Sequence, residues 1–133
     1  MPAGDDHGVW ARMTEVWTIE RHLEAGSDHG CALFQRFVDI VAACGEYTTS
    51  VAKTTITFKG PRRGFAGARP SGDRLVGYFD VTYRVEDPRV SRATPYQKDL
   101  FVNHFRVSSL EQMDEAFAGW IADAYDQVGC GNR

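Results

Sequence analysis

No apolar run in these 133 residues approaches the roughly 20 that a membrane span needs, so no membrane partner is expected. The opening MPAGDDHGVW is acidic and short of apolar side chains, and does not read as a signal peptide. Cysteine is scarce and unpatterned. Cys31, Cys44 and Cys130 form no CxxC pair, which predicts reduced thiols in a cytoplasmic protein. HExxH, a nucleophile elbow and a phosphate-cradling glycine loop are all missing. The turn Gly60-Pro61-Arg62-Arg63-Gly64 is glycine-bounded, but no helix follows it. His29 and Cys31 lie close together, but two potential ligands are too few for a zinc site, where four are usual. No metal and no cofactor is expected. Repeats and low-complexity blocks are absent as well.

What remains is the composition of an ordinary soluble domain, 43% hydrophobic and 25% charged. The length suits one domain with one core. Residues 1–16 read as a flexible arm, 17–129 as a single domain and 130–133 as a tail. Within the arm, residues 1–8 show no apolar periodicity at all.

The first half of the domain is helical. Thr18 is a good N-cap for a short helix, Ile19 to Ala25, closed by Gly26, with Trp17 stapling its entry. Ser27 or Asp28 caps a second helix over about 29–44. Its apolar residues Leu33, Phe34, Phe37, Val38, Ile40 and Val41 recur at three- and four-residue steps. Gly45 ends it. The period then changes to two. Four strands are predicted, at Thr55–Lys59, Phe65–Arg69, Leu75–Tyr83 and Leu100–Val107, separated by turns and by a long loop over 84–98. A closing helix carries Leu110, Met113, Phe117, Trp120, Ile121, Ala124, Tyr125 and Val128 in one stripe, with overlapping capping boxes at Ser108 and Ser109. Helices, then strands, then a helix make an α+β fold. The short turns predict an antiparallel four-stranded sheet with N-terminal and C-terminal helices packed on one face.

Charge is segregated along the chain. Residues 53–74 hold six bases and one acid, net +5, while residues 1–52 are net −5 and residues 75–133 net −3. Such segregation can focus a field on an anionic partner, or can be a solvated rim that blunts a sheet edge. Strand parity adds a second feature. Ile56, Phe58, Phe79, Val81, Phe101, Phe105 and Val107 share one face. Lys53, Thr55, Thr57, Lys59, Tyr78, Asp80, His104 and Arg106 share the other. That open face would suit an anion or a nucleotide-like ligand, with Tyr78 as a stacking surface. It would equally be the polar, solvated side of a sheet.

Four stretches together carry a family likeness: WTIERHLEAG, KTTITFKGPRRGFAGARP, VNHFRVSS and LEQMDEAFAGWIADAY. In their order and spacing the chain resembles the domain of unknown function 5655 family over about residues 17–128. The resemblance implies a small bacterial or archaeal α+β domain with no assigned activity. It points to Lys53, Phe58, Phe65, Arg69, His104 and Trp120 as matching positions.

Three readings of function follow. The first is a non-enzymatic module that binds an anionic small molecule or nucleic acid through Lys53, Lys59, Arg62, Arg63, Arg69 and Arg106. The second is a small enzyme or pathway accessory protein in which His104 acts as general base with Asp80 or Tyr78. The third is a homodimer formed through the open face. A pI near 5.8 weighs against a dedicated nucleic-acid binder.

Overall fold

The computed structural model describes residues 17–132. The expected arm over 1–16 lies outside the described residues. Helix α1 spans Ile19–Glu24, and Thr18 caps it by accepting from the Arg21 N–H at 3.1 Å. Trp17 packs on His22 with ring centroids 4.8 Å apart. Helix α2 spans Asp28–Cys44, capped by the Ser27 hydroxyl, which accepts from Gly30 N–H. At its end Gly45 has φ 150°, a conformation that only glycine enters without strain. The Tyr125 hydroxyl fills the space beside it and donates to the Glu46 carbonyl at 2.8 Å.

The sheet has six strands, not four. In chain order they are β1 (Thr48–Val51), β2 (Ile56–Lys59), β3 (Gly64–Ser71), β4 (Arg74–Val81), β5 (Val90–Pro95) and β6 (Phe101–Val107). All pair antiparallel in the spatial order β1-β2-β3-β4-β6-β5. The two strands that the sequence hid are the two edges. β1 is four residues long, polar and mostly exposed. β5 lies inside the expected 84–98 loop. It ends on Pro95, and an irregularity between Val90 and Arg92 breaks its alternation. Shortness, proline and a bulge are the devices that keep an edge from pairing further, and they also erase its pattern.

The expected final helix is divided. Leu110–Gln112 is a single 3-10 turn, and Leu110 is exposed rather than part of the stripe. Gln112 Oε1 accepts from the backbone N–H groups of Ser108 and Ser109. The chain restarts at Asp114, whose carboxylate accepts from Phe117 N–H at 3.0 Å and caps α3, Glu115–Ala124. A π-helical turn, Tyr125–Gly129, finishes it. Two good caps five residues apart, Ser109 and Asp114, compete, and the second begins the longer helix.

Helices α2 and α3 pack on one face of the sheet, over β3 and β4. Between them lies a phenylalanine-rich core. Phe37 is fully buried, with its ring 5.3 Å from Phe58, 5.6 Å from Phe105 and 6.2 Å from Phe117. Ile56, Phe58, Phe79, Val81, Phe105 and Val107 are buried as parity predicts. No described helix is long and apolar enough to cross a membrane. Among the described residues no helix covers the opposite face of the sheet.

Candidate functional site

One row of side chains crosses that open face. Register places Thr57 beside Gly67, Gly67 beside Tyr78, Tyr78 beside His104, and His104 beside Arg92. Five strands thus contribute one residue each. Gly67 explains how Tyr78 lies. A Cβ at Gly67 would stand 2.5 Å from the Tyr78 ring, so the ring lies flat across β3 where a side chain would otherwise be. Its hydroxyl reaches the Thr57 hydroxyl at 3.1 Å. Burial raises the Tyr78 pKa despite that bond, so the phenol keeps its proton at neutral pH. Gly67→Ala is therefore expected to push the ring off β3 and break the bond to Thr57. The cost should be about 1–3 kcal/mol, as for other overpacked sites, and a denaturant titration reads it. An unchanged midpoint would mean that the ring moves aside freely.

Beside Tyr78 lies a depression of about 550 Å³. Its lining includes Arg69 from β3, Arg92 from β5, Arg106 and His104 from β6, and Ser91, and holds no acid. Among the described residues, ion pairs form only around Arg89. The guanidinium groups of Arg69, Arg92 and Arg106 make neither ion pair nor hydrogen bond there. Burial, and then the nearby Arg92 charge, hold His104 below the ordinary imidazole value. At neutral pH it is an uncharged ring that can donate or accept, among three fixed cations. Guanidinium groups bind carboxylate and phosphate in planar, paired fashion.

Asp80 lies next along β4 on the same face. It pairs with Val102, whereas Tyr78 pairs with His104. It is 6% exposed, and its Oδ1 is buried without a hydrogen-bond partner. Burial pushes its carboxyl up to about 6, against the opposing pull of Arg63. Asp80 and His104 make no hydrogen bond to each other.

The residues expected from sequence are divided among several places. Arg69, Arg106, His104 and Tyr78 come together. Lys53 is exposed in the β1–β2 turn. Lys59 lines a separate depression with Glu46, Tyr47 and Pro61. Arg62 turns toward the C-terminal end, beside Gly131, and its N–H donates to the Gly129 carbonyl at 2.8 Å. Arg63 donates to Gln97 Oε1 at 3.1 Å and lies 6.0 Å from the Tyr96 ring. The basic segment is therefore not one patch. Arg92 is the residue that sequence reasoning missed, because it lies in a strand read as loop.

Residues 19–128 match a family model described as Domain of unknown function (DUF5655). No curated protein and no solved structure matches the chain.

Proposed function

The chain belongs to this family of domains of unknown function, and from that starting point we propose that it is a non-enzymatic binding module for a small anionic, phosphate- or carboxylate-bearing ligand. One observation carries the reading. Three arginines from three different strands converge on a depression that also holds Tyr78 and His104, with no carboxylate in its lining to neutralise them. Charges left unpaired in one concavity repel each other, and an anion bound there would relieve that repulsion. Tyr78 would offer its ring to a flat part of the ligand.

The enzyme reading has less support. A general base needs an orienting partner within hydrogen-bond reach, and Asp80 makes no hydrogen bond to His104. A long nucleic acid suits the site poorly too, because the chain as a whole is net −3. A homodimer through this face would set like charges against each other.

Calorimetric titration with inorganic phosphate and pyrophosphate tests the proposal. Binding is expected in the wild type, weakening as salt rises because exposed charges are screened. Arg106→Glu should lower affinity by about tenfold or more, equivalent to ~1.4 kcal/mol. Arg62→Glu, outside the depression, should leave it unchanged. Absence of binding by the wild type, or equal binding by R106E, would overturn the reading.

A further inference from the structure

Asp80 is a buried charged group on the open face that the anion reading leaves unused. It carries a negative charge next to a cationic depression, yet no side chain claims it. Arg63, the cation beside it, gives a hydrogen bond to Gln97 instead. A buried carboxylate without donors is costly, and the donors it lacks are N–H or O–H groups. We propose that Asp80 is a second subsite of the same face, accepting paired N–H donors from the far end of the ligand whose phosphate rests on the arginines. The proposal rests on the anion-binding reading and narrows it to a ligand class.

The order of groups along β4 sets that class. Val76 pairs with both Arg69 and Arg106, Tyr78 follows two residues later, and Asp80 two residues after that. At about 3.4 Å per residue, each step is about 7 Å. Cations, aromatic ring and carboxylate thus follow one another on one face. A ligand matched to that order carries an anion at one end, a planar ring in the middle and N–H donors on the ring's outer edge. A nucleoside monophosphate has this order. Among the bases, guanine presents a ring N–H and an exocyclic amino group side by side, two donors aimed at one carboxylate. Adenine sets a single amino donor beside a ring nitrogen whose lone pair would face the carboxylate. The geometry therefore favours guanine over adenine. Arg63 stands beside Asp80, and its exposed guanidinium is bonded to Gln97 rather than to the carboxylate.

Titration calorimetry with inorganic phosphate, guanosine monophosphate, inosine monophosphate and adenosine monophosphate tests this. The guanine nucleotide should bind about tenfold or more tighter than the adenine nucleotide. Inosine, which lacks the amino group, should fall between. Asp80→Asn should bring the guanine nucleotide down to the adenine level without weakening the binding of phosphate. If phosphate binds but the nucleotides are indistinguishable, the subsite is overturned while the anion-binding reading stands. A guanine preference that survives in D80N also overturns it. If neither phosphate nor any nucleotide binds, both fall. The comparison of nucleotides on the wild type stands even if the variant folds poorly.

Discussion

Asp80→Asn should make the protein more stable at neutral pH, by about 1–3 kcal/mol, and the gain should vanish near pH 4. Burial moves this carboxyl from the ordinary 3.8 up to about 6. At 1.36 kcal/mol per pH unit, keeping the ionised form in the fold costs about 3 kcal/mol. Between those two values the folded state holds a proton that the unfolded chain has released. Wild-type stability therefore falls as pH rises from about 4 to about 6, and the cost stays constant above that. Below about 4 both states are protonated and the cost is gone. Asparagine cannot ionise, so it escapes the penalty, but its amide must also be desolvated, which trims the gain. Urea titrations of both proteins from pH 4 to 8 measure the difference. If the variant is no more stable than the wild type at pH 7.5, Asp80 has a partner in solution, with Arg63 the nearest one. A residue whose removal stabilises the fold is the kind that is retained for what it does rather than for what it holds together.

Trp120→Ala should have the largest cost, about 3 kcal/mol, at the low end for a truncated aromatic because the ring is half-buried. The indole stacks on Phe79, with centroids 5.8 Å apart and planes 15° apart, and leans on Phe117 at 5.9 Å. On its other side lies the Arg89 guanidinium, 4.7 Å from the ring. That guanidinium is held by Asp87 at 2.8 Å, by Asp114 at 2.9 Å and by the Gln112 carbonyl at 2.7 Å. Arg89 leads directly into β5, and its carbonyl accepts from the Arg106 N–H at 3.0 Å. Removing the indole therefore takes away a core ring and also the floor under the clamp that seats β5. Phosphate affinity should fall along with stability, because Arg92 loses its setting. A cost below about 1 kcal/mol in a denaturant titration would mean that Phe79 and Arg89 close over the gap.

The helices were legible because their caps and stripes are local. Thr18, Ser27 and Gly45 mark ends that the structure keeps. The central strands were legible because Phe58 and Phe79 must be buried while their neighbours need not be. Where two signals competed, sequence could not rank them. Ser109 and Asp114 are both good caps, and only the packing of Met113 and Phe117 decides between them. The edge strands were illegible for a physical reason. A strand paired on one side and exposed on both faces needs no alternation, so Thr48–Val51 and Val90–Pro95 carry little. The site inherits both outcomes. Tyr78, His104 and Arg106 follow from parity within recognisable strands, and Arg69 from the basic segment. Arg92 does not, and the scattering of Lys59, Arg62 and Arg63 depends on which way each turn folds back.

The position of Arg92 at the rim of the sheet divides the depression mechanically. Arg69 and Tyr78 sit on β3 and β4, each hydrogen-bonded along both sides. Among the described strands β5 pairs only with β6, so a single backbone ladder holds it in the sheet. Strands of that kind open at a fraction of the free energy needed to unfold a core, and they do so on their own. The cavity thus has a floor of doubly paired strands and one wall on a singly paired edge. Two of its cations stand on strands paired on both sides, and the third stands on the edge. A ligand that touched all three arginines would tie that edge to the centre of the sheet.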